Sequence, residues 1–166
     1  MRKIFLAFLL YLSIALGNEA VYKAYYGFIP IGTVEFKWND KEIKVEGKVY
    51  PYLRFIYDYN FLFEAKDNDF FLYEKENKKI RKYTKEKILE KKPWLPLIVK
   101  FLKTKKADET GKIYPYKLKK EGNRYIIYPL KSKKVKKIVL IFDKDDNFPK
   151  KIKIYGKYFI KLERIS

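Results

Sequence analysis

Apolar and polar residues alternate through most of this chain with a period of two, the pattern of strands that bury one face. Between 33 and 39, Val34, Phe36 and Trp38 fall on one side, and Thr33, Glu35 and Lys37 on the other. Between 42 and 50, Ile43, Val45 and Val49 oppose Lys44, Glu46 and Lys48. The same reading predicts strands over 20–28, 59–66, 70–76 and 79–84, and in the last third over 113–119, 124–130, 135–142, 150–156 and 158–165. Polar turn residues separate them: Asn39-Asp40-Lys41, Asp67-Asn68-Asp69, Asn77-Lys78, Glu121-Gly122-Asn123 and Asp145-Asp146-Asn147. Between Gly27 and Gly32, two glycines and Pro30 predict a turn or bulge. Consecutive strands with short turns imply an antiparallel sheet, and a Lys-rich second face implies that one side is wet.

Two segments interrupt the alternation. Residues 51–58 read as a short helix with Leu53, Ile56 and Tyr57 inward. Residues 93–103 read as an amphipathic helix: Trp94, Leu97, Ile98, Phe101 and Leu102 recur at helical spacing, with Lys100 and Lys103 opposite. The proline residues at its start suit a first helical turn. The expected fold is mainly β: a curved antiparallel sheet or half-barrel, with this amphipathic helical segment covering the concave face.

The N-terminus changes the compartment. Arg2 and Lys3 precede an apolar run from Ile4 to Leu16, with small residues at Ala15 and Gly17, as in a secretory leader. The run is well below the roughly 20 apolar residues that span a bilayer. We expect residues 1–17 to be a signal peptide cleaved after Gly17, and residues 18–166 to form one β-rich domain in the periplasm or otherwise outside the cytoplasm.

Composition then removes chemistries. The 166 residues include neither Cys nor His. An exported domain without Cys holds together without disulfides, and cannot carry the lipidated Cys of a lipoprotein. Lacking His, the chain is excluded from Ser-His-Asp and Cys-His nucleophile systems and from most zinc and copper sites. Carboxylates, Lys, Tyr and hydroxyls are left, so we expect no enzyme, no metal and no cofactor. The 39 Lys and Arg against 20 acids give a formal charge of +19; removing Arg2 and Lys3 with the leader leaves +17. A Lys- and Glu-rich chain with one Met is also typical of heat-adapted proteomes, so part of this excess is compositional.

Five constellations are candidate sites. Asp143 to Asn147 begins like a calcium loop, but Phe148 stands at the sixth position and Ile154 at the twelfth, where Gly and a bidentate acid are needed. The Gly27–Gly32 segment lacks the Gly-Lys-Ser/Thr ending of a phosphate loop. Glu74 and Glu76 share a strand face, but nothing in the sequence places them in a cleft and Lys75 and Lys78 flank them, against a glycosidase pair. Lysine pairs from Lys78-Lys79 through Lys105-Lys106 to Lys150-Lys151 spread over the chain, which suits a solvated face or an anionic envelope surface better than nucleic acid. The apolar face, with Phe36, Trp38, Phe61, Phe63, Trp94, Leu97 and Phe101, is first a core. It becomes a pocket for an apolar ligand where the sheet is too open for its helix to fill.

Tyr22, Gly27 and Gly32 stand at the spacing of the Y-x-x-x-x-G-x-x-x-x-G opening of domain-of-unknown-function family 3108, which the chain resembles. The stretch from Leu140 through Asp143, Phe148-Pro149 and Ile152 to Gly156 and Leu162 resembles that family's last two strands, and the helical segment near Trp94 falls where its members carry one. The resemblance spans nearly all of the chain after the leader. It implies an architecture similar to open β-barrel carriers of the lipoprotein-localisation type, with no catalytic residue to transfer. The expectation is an exported envelope protein that binds or carries a lipid-like, apolar or amphiphilic ligand. The alternative is a structural or adaptor protein with a filled barrel, which binds a partner or an anionic membrane surface through its basic face; an enzyme acting on an anionic envelope polymer ranks third. No oligomeric state follows from the sequence.

Overall fold

The computed structural model describes residues 18–66, 69–104, 115–144 and 146–166. The leader, the Asp67-Asn68 turn, the Lys103 side chain, Lys105-Lys106, the start of the seventh expected strand and Asp145 lie outside the described residues. Eleven strands form one antiparallel sheet: β1 (Asn18–Tyr26), β2 (Ile29–Trp38), β3 (Glu42–Val49), β4 (Tyr59–Lys66), β5 (Asp69–Glu76), β6 (Lys79–Tyr83), β7 (Tyr116–Glu121), β8 (Arg124–Pro129), β9 (Val135–Ile141), β10 (Lys151–Gly156) and β11 (Phe159–Arg164). Their order is β6-β5-β4-β3-β2-β1-β11-β10-β9-β8-β7. Two meanders are thus joined by the pairing of β1 with β11, and the sheet does not close, as the half-barrel expectation required. Both edges are basic: β6 reads KIRKY and β7 YKLKKE, which discourages strand addition by another chain.

One face is packed and the other wet. Ala20, Tyr22, Val34, Phe36, Val45, Phe63, Leu72, Ile138, Leu140 and Ile152 point inward and are buried. The outer face carries lysines that find local partners. Lys44 meets Glu64 across β3 and β4 at 3.7 Å, and Lys151 and Lys161 share Glu163 at 3.6 and 2.8 Å. Lys161 lies over the Tyr25 ring at 4.3 Å and Lys137 over Tyr155 at 4.5 Å.

Two helices follow β6: α1 (Lys85–Lys91) and α2 (Trp94–Thr104). The second is the expected amphipathic helix, with Pro96 in its first turn, where a missing N–H costs no intrahelical bond. Its buried stripe is wider than the spacing predicted, because Leu95 and Val99 are buried beside Leu97, Ile98, Phe101 and Leu102. The first helix escaped the sequence reading: its seven residues, KEKILEK, hold only Ile88 and Leu89 as apolar positions, too few to set a period.

Two expectations are corrected. Residues 51–58 form only a 3-10 turn at Pro51–Leu53, and Ile56 and Tyr57 are exposed rather than inward. The Gly27–Gly32 turn is shorter than expected: Gly27, at φ +60°, and Phe28 make it, and β2 already starts at Ile29. The bulge is present, since the register slips between Ala24 opposite Gly32 and Tyr25 opposite Pro30. It accommodates a proline inside a strand.

Candidate functional site

The concave face divides into a filled end and an open end. At the filled end, Phe101 packs on Tyr125 with ring centres 5.1 Å apart, and Tyr125 meets Phe142 edge-on at 5.6 Å. The loop from β9 to β10 closes over this end. Phe148 stacks on Trp38 at 4.1 Å, Arg164 binds both the Phe148 carbonyl (2.9 Å) and Asp146 (2.7 Å), and the Tyr22 hydroxyl donates to the Pro149 carbonyl at 2.7 Å. Burial pushes the Tyr22 hydroxyl pKa well up, so it stays a neutral donor.

At the other end, where the β1–β2, β3–β4, β5–β6, β8–β9 and β10–β11 connections gather, the sheet encloses a cavity of about 710 Å³ that opens to solvent. One wall is apolar: Ala24, Ile31, Val34, Val49, Phe61 and Ile160. Phe61 can lie flat across the sheet because Gly47 stands opposite it in β3; a Cβ there would come within 2.1 Å of the ring. Trp94, at the start of α2, borders the cavity.

The facing wall is a network of charges. Glu74 is only 4% exposed. It accepts a hydrogen bond from the Tyr59 hydroxyl (2.8 Å), a short one from Lys92 Nζ, and a longer one from Arg81 Nη1 at 3.4 Å. The same Arg81 nitrogen donates to Glu76 at 2.7 Å, and the Tyr57 hydroxyl donates to Glu76 at 3.0 Å. Burial alone would raise the Glu74 pKa, but the Lys92 and Tyr59 hydrogen bonds, the Lys92 charge and Arg81 outweigh it and hold the carboxyl below its ordinary value. Glu76 is held low mainly by its hydrogen bonds from Arg81 and Tyr57. Burial and the bond to Glu76 push Tyr57 up to about 12; burial and the Glu74 charge push Tyr59 up as well. Both carboxyls are thus held below their ordinary values and hydrogen-bonded to cations. Lys91 and Lys134 also line the cavity, with no acid within ion-pair distance among the described residues.

Of the residues named from sequence, the structure brings Phe61 and Trp94 to the cavity wall. Phe36, Phe63, Leu97 and Phe101 lie in the packed core, and Trp38 is at the filled end against Phe148. Glu74 and Glu76, which nothing in the sequence places in a cleft, both line the cavity. Tyr59, Arg81 and Lys92 are not among the residues named from sequence, and Tyr57 is there only as an inward position of the 51–58 segment. A signal existed: Phe70, Leu72, Glu74 and Glu76 share one parity, so two carboxylates followed two core residues onto the buried face.

No family model matches the chain. An uncharacterised protein of Aquifex aeolicus (strain VF5) is 41% identical over 163 residues, covering 98% of this chain and 93% of the relative. This chain belongs to the family of that Aquifex protein. Among the described residues, no three His, Cys, Asp or Glu side chains converge as a metal site, and no helix is long and apolar enough to cross a membrane.

Proposed function

We propose that this protein is an exported, non-enzymatic binder or carrier of an amphiphile, whose tail lies along the apolar wall of the open cavity and whose head group meets the charged wall. The observation that carries this reading is the two-sided lining of a hollow left unfilled beside a helix that packs the rest of the concave face. A volume of about 710 Å³ falls within the range of small-molecule sites. The cations Lys91 and Lys134, with no acid within ion-pair distance among the described residues, favour an anionic head such as a carboxylate. The leader-like start of the chain supports work outside the cytoplasm, where amphiphiles are moved between membranes.

Gentle purification from an exporting bacterial host, followed by organic extraction and mass spectrometry, should release an amphiphile, and the protein's N-terminus should read Asn18-Glu19-Ala20-Val21. A fluorescent fatty-acid probe should bind the extracted protein and weaken on Trp94→Ala. Absence of both a copurifying amphiphile and probe binding would remove the carrier reading.

A further inference from the structure

The open end carries a second feature, separate from the cavity itself. Phe28, at the tip of the β1–β2 turn, is 97% exposed, and Phe55, in the β3–β4 connection, is 85% exposed. Ile29, the first residue of β2, and Tyr52, Ile56 and Tyr158 on the β3–β4 and β10–β11 connections are exposed at the same end. They form one patch. Tyr26 packs against Tyr158 at 5.7 Å, and an apolar hollow of about 250 Å³ between Ile29, Leu53, Ile56 and Tyr57 joins the first two connections. Ile31, Val49 and Tyr57 line both this hollow and the main cavity, so the patch is continuous with the cavity mouth.

Charge is distributed unevenly between the ends. The connections at the open end carry Arg54, Lys78, Lys131, Lys133, Lys134 and Lys157 against the single acid Asp58. At the opposite end, described residues balance: Asp40 is followed by Lys41, and Lys144 and Lys150 are matched by Asp143 and Asp146. We infer that the rim of the cavity mouth docks on an anionic lipid bilayer, with Phe28 and Phe55 entering the interface and the surrounding lysines meeting acidic head groups. Exposed bulky apolar side chains ringed by tyrosines and bases match a membrane interface, where apolar burial and attraction to acidic lipid add. A patch whose cations have few acids to meet is poorly suited to pairing with a second copy of itself. This docking surface does not depend on what the cavity holds, and it would place the mouth against the membrane.

The test uses protein recovered from an exporting host and lipid vesicles alone, without a fatty-acid probe. Phosphatidylcholine vesicles containing phosphatidylglycerol should bind it at low salt, and binding should fall as the screening length shortens from about 30 Å at 0.01 M to about 8 Å at 0.15 M. Phe28→Ser with Phe55→Ser should weaken binding roughly tenfold or more, with an unchanged melting curve, because both side chains are already in solvent. Replacing Lys133, Lys134 and Lys157 by Gln should cost about fivefold each, whereas Lys41→Gln and Lys144→Gln at the far end should cost little. In bound protein, brominated lipid should quench the added fluorescence of Phe28→Trp and not that of Lys41→Trp. Equal losses for rim and far-end variants, an unquenched Trp at position 28, or a vesicle-free dimer that Phe28→Ser dissolves would each overturn the inference.

Discussion

The two ends of one concave face receive the same kinds of inward residue and come out differently. At the filled end, aromatic rings from the sheet, α2 and the β9–β10 loop interlock, and Tyr22 and Arg164 tie that loop down through two backbone carbonyls. At the open end no loop closes over among the described residues; the connections expose phenylalanine and isoleucine, and the hollow beneath them is walled partly by apolar groups and partly by ionised ones. Geometry supplies the reason. The eleven residues of α2 make a helix about 16 Å long. The nine and ten residues of β1 and β2 run about 30 Å, so one helix cannot cover the whole face. Buried ion pairs such as Glu74 with Lys92 and Arg81 seldom add net stability over apolar packing. Their place on the unfilled wall therefore points to use rather than to holding the fold together.

The largest expected effect breaks the filled end. Phe101 is fully buried against Tyr125, and Phe101→Ala should cost about 3–5 kcal/mol in denaturant unfolding. Because Phe101 does not border the cavity, fatty-acid probe affinity of the remaining folded protein should be nearly unchanged. A large loss of probe affinity with little loss of stability would mean that the division between the ends is drawn in the wrong place.

Next is the charged wall. Lys92→Met strips Glu74 of its shortest hydrogen bond and leaves a buried carboxylate to Tyr59 and Arg81, at a cost of about 2–3 kcal/mol near neutral pH. The pH dependence gives a second readout. The folded-state pKa of Glu74 is lowered from 4.5, so its contribution is present above that value and is lost as pH falls through the folded pKa. In Lys92→Met the carboxyl pKa rises, and the acid-side loss of stability should become shallower. An unchanged acid limb would show that other carboxyls set it.

The difference between the ends also divides what the sequence made legible. Strand parity sufficed for the sheet, because period two survives whatever covers the face, and the hydrophobic spacing from Trp94 to Leu102 sufficed for α2. The helix from Lys85 to Lys91 was invisible, since Ile88 is its one buried residue. For the cavity the sequence offered parity but not depth. Phe36 and Phe61 have the same pattern, yet one is packed against Tyr22 while the other faces empty space. That distinction depends on where a short helix stops, a long-range property. The Glu74 network was half legible: the shared face of Glu74 and Glu76 could be read, but their partners come from the β3–β4 connection, β4, β6 and the residue after α1.

Trp94 sits where the two ends meet, half-buried at the start of α2 and on the cavity wall. Trp94→Ala should cost less stability than Phe101→Ala, about 1–2 kcal/mol by thermal unfolding, because part of the ring already faces the hollow. It should weaken probe uptake, the reverse of the pattern at Phe101. Equal stability losses at the two positions would place Trp94 in the core and push the boundary toward β6.

The smallest effect on stability belongs to Gly47, and it sharpens the comparison by making the open end resemble the filled one. A methyl group at this position would lie 2.1 Å from a ring carbon of Phe61, far inside contact distance, so the ring has to move. The sheet blocks one direction and the cavity lies in the other, so Phe61 should swing into the hollow. Two contributions then oppose each other. Alanine in a strand interior gains roughly 0.5–1 kcal/mol over glycine, and displacing the ring costs a comparable amount, less than overpacking in a closed core because empty space receives it. Gly47→Ala should therefore melt within a few degrees of the unmutated protein and yet take up the fatty-acid probe clearly less well. A destabilisation as large as that of a core mutant would mean that the space around Phe61 is already filled, and that the hollow does not extend to β3 and β4.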